Sequence, residues 1–125
     1  MTKKRILLVD DEEDIREVAQ LSLEMVGGWQ VITVSSGTEA ISKAEIEQPD
    51  AILLDVMMPD LDGFATFERL RRNRATQQIP VIFLTAKVSA DDQHRFFELG
   101  VHGVISKPFD PMSLATEVET TLGWS

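Results

Sequence analysis

The chain has 125 residues, an apolar share of 43%, and 12 basic against 21 acidic residues for a net charge of −9. That length predicts one domain with a proper core, and the acidic balance opposes non-specific attraction to nucleic acid or anionic lipid. The absence of cysteine excludes a disulfide framework, a thiolate zinc site and a cysteine nucleophile, and suits a reducing cytoplasm; no apolar run is long enough to span a bilayer.

Ile6-Leu7-Leu8-Val9 reads as a short buried strand that stops at Asp10-Asp11-Glu12-Glu13-Asp14. Those acids open a helix, where negative charge is favourable; Ile15, Val18, Ala19, Ser22, Met25 and Val26 trace one face of it, and Gly27-Gly28 ends it. Val31-Ile32-Thr33-Val34 is a second, β-branched strand, followed by a Ser36…Glu39 capping box with Ala40, Ile41 and Ala44 on the helix behind it. Ala51-Ile52-Leu53-Leu54 is a third strand ending at Asp55, after which Pro59 bars a regular continuation and Asp62 caps a helix over 63–73. Arg69, Arg71, Arg72 and Arg74 sit at the C-terminal end of that helix, where cations complement the macrodipole.

Val81-Ile82-Phe83-Leu84 is the fourth strand, ending in Thr85-Ala86-Lys87. Ser89 with Asp92 caps a helix through Leu99 that Gly100 stops. Val101 to Ser106 is the fifth strand, interrupted at His102-Gly103 and closed by Lys107-Pro108. Asp110-Pro111 reads as an N-cap followed by proline at the first helical position, with Leu114, Val118 and Leu122 as the last stripe. Phe96 and Phe97 are adjacent, so one helical stripe cannot bury both, and Trp124 is placed to pin the last helix.

Strand and helix thus alternate five times. The pattern predicts a single α/β domain over residues 1–125, a doubly wound parallel five-stranded sheet in the order 2-1-3-4-5. In such a sheet all strand carboxyl ends share one edge, which brings Asp10, Asp11, Asp55, Thr85 and Lys107 together. A strand-end Asp can also simply cap a turn; convergence with the polar ends of the other strands is what distinguishes Asp55. Two unit charges about 4 Å apart cost roughly 4 kcal/mol at an effective dielectric near 20, so the carboxylates need a cation, either Lys107 or a bound ion. An all-oxygen site suits Mg²⁺, and carboxylate, hydroxyl, ammonium and Mg²⁺ are the parts of phosphoryl transfer to an Asp. His94 and His102 are too few and too isolated for a histidine metal site.

The segments Ile6-Leu-Leu-Val-Asp10-Asp11-Glu, Leu53-Leu54-Asp55-Val-Met-Met-Pro59-Asp-Leu-Asp-Gly63, Pro80-Val-Ile-Phe-Leu84-Thr85-Ala86 and Lys107-Pro108-Phe109 resemble the response-regulator receiver domain of two-component signalling, a flavodoxin-like fold. The resemblance implies that Asp55 accepts a phosphoryl group. It implies Asp11 and Asp55 as direct Mg²⁺ ligands, Asp10 acting through water, and the Met57 carbonyl as a further ligand. Thr85 and the Ala86 amide would bind the phosphoryl oxygens, Lys107 would pair with Asp55, and the Lys107-Pro108 bond would be cis.

It further implies a bacterial cytoplasmic switch, a phosphoacceptor and not an enzyme on other substrates, with slow self-dephosphorylation. Its phosphodonor would be a histidine kinase or histidine phosphotransfer protein. A downstream protein would be met on the face of the fourth helix, fifth strand and fifth helix, with no direct nucleic-acid contact and no membrane insertion. Because the sequence stops after the fifth helix, the expectation is a stand-alone receiver, a monomer or a phosphorylation-dependent dimer. Met57 and Lys87 would flank the route of the hydrolytic water. One departure is Val104, where receivers often carry Tyr or Phe; it shifts the expected switch onto the loop from Thr85 to Ser89. A haloacid-dehalogenase-type phosphatase would want a second Asp where Met57 stands, and a flavin binder would not place acids after the first strand.

Overall fold

The computed structural model describes residues 3–57, 62–86 and 89–124. Lys87 and Pro59, both singled out above, lie outside them. Ten elements alternate along the chain: β1 (Arg5–Val9), α1 (Glu13–Met25), β2 (Gln30–Val34), α2 (Gly37–Glu47), β3 (Ala51–Asp55), α3 (Gly63–Arg72), β4 (Val81–Thr85), α4 (Ala90–Leu99), β5 (Gly103–Ser106) and α5 (Leu114–Leu122). The sheet is parallel throughout, in the order β2-β1-β3-β4-β5. This is the expected flavodoxin-like arrangement.

Alternation along each strand divides the core in two. Ile6, Leu8, Leu53, Ile82, Leu84 and Ile105 face the layer that holds Leu23 of α1 and Leu114 and Val118 of α5. Leu7, Val9, Ile52, Leu54 and Phe83 face the other layer, with Ala40 and Ala44 of α2, Phe67 and Leu70 of α3, and Phe96 of α4. β3 and β4 are buried at every position because helices cover both faces, whereas the edge strand β2 is exposed at Gln30.

The helix starts follow the capping logic. Ser36 accepts the Glu39 N–H at 3.2 Å, Asp62 the Ala65 N–H at 2.8 Å, and Ser89 the Asp92 N–H at 3.1 Å. Gly100, at φ +102°, ends α4. Arg69, Arg71 and Arg72 occupy the last turn of α3. Trp124 packs edge-on against Trp29 with ring centroids 5.3 Å apart, Phe96 is buried and Phe97 is 54% exposed. The Lys107-Pro108 bond is cis.

Three expectations need correction. The buried side of α1 is Ala19, Ser22 and Leu23, while Val18, Met25 and Val26 are exposed. The helix is apolar on more than one stripe, and contact with β2 and α5 selects the stripe that contains Leu23. α5 begins at Leu114, with Ser113 at the cap position, and not beside Pro111. Asp110 closes a turn ahead of it, accepting the Met112 N–H through Oδ1 and the Ser113 and Leu114 N–H groups through its carbonyl. β5 starts at Gly103, two residues later than Val101; His102 donates its N–H to the Val81 carbonyl at 2.9 Å just before it.

Candidate functional site

The site is built by strand register. Asp55 pairs with Leu84, so Thr85 stands one residue further along the neighbouring strand. Thr85 pairs with Ser106, and the Lys107 N–H continues that ladder by donating to the Thr85 carbonyl at 2.9 Å. On the other side Val9 pairs with Leu54, and the Asp10 N–H reaches the Val34 carbonyl at 3.2 Å. Asp10, Asp55, Thr85 and Lys107 are thereby carried to one edge by backbone bonds alone.

The side chains then meet. Lys107 Nζ lies 2.7 Å from Asp10 Oδ2, 3.3 Å from Asp55 Oδ1 and 3.8 Å from Glu12 Oε1. Asp10 is fully buried and Asp55 is 2% exposed, while Asp11 projects to solvent. Asp10 Oδ1 accepts the Glu12 N–H at 2.9 Å, and Asp55 Oδ1 accepts the Met57 N–H at 3.1 Å. Thr85 is buried at the end of β4, with Ala86 exposed beyond it; Met57 is exposed after β3.

Burial pushes the Asp55 carboxyl up from 3.8 to about 6, and the charge of Asp10 adds to this; Lys107 and the Met57 N–H pull the other way. Burial by itself would lower the Lys107 ammonium, but its bond to Asp10, the charge of Asp10 and then Asp55 outweigh burial and raise it. One ammonium cannot neutralise this group. Carboxylate oxygens of Asp10, Asp11 and Asp55 all lie within 4.8 Å of one another. Asp10 Oδ2 is enclosed, and among the described residues no hydrogen-bond donor is directed at it beyond the close ion pair with Lys107. A small hard cation with oxygen ligands fits such a donor set, as Mg²⁺ does.

The response regulator receiver domain family matches residues 6–119. The chain belongs to that family. It is 44% identical over 119 residues to the alkaline phosphatase synthesis transcriptional regulatory protein PhoP of Bacillus subtilis, covering 95% of this chain and 48% of PhoP. The receiver therefore spans about half the length of the curated relatives it matches. Among solved structures it resembles the chemotaxis protein CheY4 of Vibrio cholerae, with a TM-score of 0.88, 29% identity, and 96% and 99% of the two chains covered. It also resembles the receiver domain of the sensor histidine kinase PA1611 of Pseudomonas aeruginosa, solved with magnesium in the active site cleft. That match has a TM-score of 0.85 and 30% identity, covering 98% and 99% of the chains. This protein is thus a bacterial-type receiver, a phosphorylation-driven switch of two-component signalling.

Three features of the site are not legible in the motifs. Glu12 joins Lys107 at the rim. Arg16 of α1 donates through Nη1 to the Asp10 carbonyl at 2.6 Å; a cation in the first turns of a helix, where the macrodipole disfavours it, was the available signal. Gly63 donates its N–H to the Val56 carbonyl at 3.0 Å, and a Cβ there would meet the Asp55 carbonyl oxygen at 2.5 Å and Val56 Cα at 2.6 Å. Only glycine lets α3 start this close to the end of β3.

Proposed function

We propose that Asp55 is the phosphoacceptor of a Mg²⁺-dependent switch charged by a histidine kinase or a histidine phosphotransfer protein. The observation that carries this reading is the juxtaposition of buried Asp55 and Asp10 about the Lys107 ammonium, with Asp11 completing an oxygen cluster. An Asp55 carboxylate oxygen attacks phosphorus, the P–O bond forms as the donor's P–N bond breaks, and the imidazole leaves with a proton. Lys107 shifts its charge onto the phosphoryl oxygens, and Thr85 with the Ala86 amide receives them. Mg²⁺ held by Asp11 and Asp55, by Asp10 and by the Met57 carbonyl would supply Lewis-acid neutralisation of the same oxygens. The domain catalyses only its own phosphorylation and slow hydrolysis.

The donor docks beside this edge. Val18, Leu21, Met25 and Met112 are 44%, 58%, 75% and 73% exposed, and with Val26 and Pro111 they line an apolar groove of about 380 Å³. α1 follows Asp10, and the stretch with Pro111 and Met112 follows Lys107, so a helical partner seated there holds its phosphohistidine near Asp55. Output goes to a protein partner on the α4–β5–α5 face, where Val104, Met112, Thr116 and Thr120 line a second groove. We take residues 1–125 as a single cytoplasmic receiver unit, acidic and without direct nucleic-acid contact. Among the described residues no helix is long and apolar enough to cross a membrane.

Incubation with Mg²⁺ and acetyl phosphate should add one phosphoryl group to the wild type and none to Asp55→Asn in intact-mass spectra; equal labelling overturns the assignment. With beryllofluoride as phosphoryl mimic, Thr85→Ala should still form the adduct but lose the amide shifts over the first turns of α4. Their survival would place the switch in another element.

A further inference from the structure

We propose that Arg16 is a positioning residue for the metal cluster, gripping the peptide plane that joins Asp10 to Asp11. This rests on the reading of Asp10, Asp11 and Asp55 as the metal site. Asp10 is the first residue past β1, and three of its groups are held. Its N–H donates to the Val34 carbonyl at 3.2 Å, its Oδ1 accepts the Glu12 N–H at 2.9 Å, and its carbonyl accepts Arg16 Nη1 at 2.6 Å. The ladder of α1 begins only at the bond from the Arg16 N–H to the Glu12 carbonyl, at 3.0 Å, so no helical N–H takes the Asp10 carbonyl.

That carbonyl belongs to the planar unit that also carries the Asp11 nitrogen and Cα. Fixing its oxygen fixes the direction in which the chain leaves a buried carboxylate and presents an exposed one. Asp11 projects to solvent, so its own side chain has little packing to set it. The guanidinium also stands where the helix macrodipole opposes a cation, so its position has to be offset by a local partner, and the Asp10 carbonyl is that partner.

Two effects of Arg16 on a divalent cation have opposite sign, which makes the proposal testable. As a bare charge, Arg16 repels the ion, and its removal tightens binding. As a grip, it holds the ligands in register, and its removal weakens binding. Calorimetric titration of Mg²⁺ into the metal-free chain, at a temperature where thermal melts show every variant folded, separates the two. Arg16→Met should bind Mg²⁺ about tenfold more weakly than wild type, the scale of loss typical of residues that orient metal ligands. Arg16→Lys, with a single charged nitrogen on a shorter side chain, should recover most of it and bind about threefold more weakly. Wild-type or tighter binding by Arg16→Met overturns the proposal. If Arg16→Met does not fold, Arg16→Ala takes its place, with the same expected loss and with wild-type or tighter binding overturning the proposal. Asp11→Ala separates this failure from that of the underlying reading: it should lose Mg²⁺ binding, and if it binds as well as wild type the metal site itself is misassigned.

Discussion

At the scale of single residues, Asp55 is costly to the metal-free fold. Its folded pKa of about 6 lies above the unfolded value near 3.8, so the native state holds the proton more tightly. Stability conferred by that proton is fully present below about pH 4 and is lost as pH rises through 6. The penalty above pH 6 is on the order of 3 kcal/mol. Asp55→Asn should therefore be more stable than wild type in metal-free urea melts at pH 8, with the advantage gone at pH 4. An advantage that does not change between these pH values would mean that Asp55 ionises as freely in the fold as in the unfolded chain. Arg16 works beside it by holding backbone, a role that depends on one guanidinium nitrogen reaching one carbonyl.

At the scale of elements, the approach of α3 to β3 sets how tightly Asp55 is held. Asp62 caps the helix through Oδ1, Gly63 donates to Val56, and the space for a Cβ at Gly63 is filled by backbone of Asp55 and Val56. Backbone cannot rotate aside as a side chain can, so Gly63→Ala must push the helix start away from the strand end. We expect a loss of about 1–3 kcal/mol in urea unfolding and slower acetyl-phosphate labelling of Asp55. Unchanged labelling in a folded Gly63→Ala would show that the acceptor tolerates the displacement. At its other end α3 is tied to α4. Arg71 donates to the Leu99 carbonyl, its guanidinium lies 5.6 Å from the Phe67 ring centre, and Gly100 leaves it room. The helix that follows β4 is thereby held at its C-terminal end, while its N-terminal end lies on the side of the edge that carries Thr85.

For the whole molecule, the sheet buries both of its faces and leaves an apolar side of α1 exposed at Val18, Leu21 and Met25. Leu21→Asp tests whether that side receives the donor. It removes an exposed apolar contact without touching the core, so acetyl-phosphate labelling should stay at the wild-type rate. Transfer from a phosphohistidine protein that labels the wild type should fall about tenfold, the loss of one well-buried interface anchor. Equal transfer to both would move the docking surface elsewhere.

Alternating apolar runs, caps and strand-end acids by themselves determined the order of elements, the parallel sheet and the set Asp10, Asp11, Asp55, Thr85 and Lys107. Each is a local signal: burial on both faces of a strand demands an unbroken apolar run, and a chain leaving that strand must turn polar at the sheet edge. Tertiary structure decided what depends on direction and on distant neighbours. It buried Asp10 and left Asp11 in solvent, because the first continues the β1 ladder to Val34 and the second has left it. It chose Leu23 over Met25 as the buried residue of α1, because the sheet and α5 select one of its apolar stripes. It also placed Arg16 on the Asp10 carbonyl and Gly63 against Asp55, two contacts set by how α1 and α3 are seated on the sheet, which no spacing in the sequence encodes.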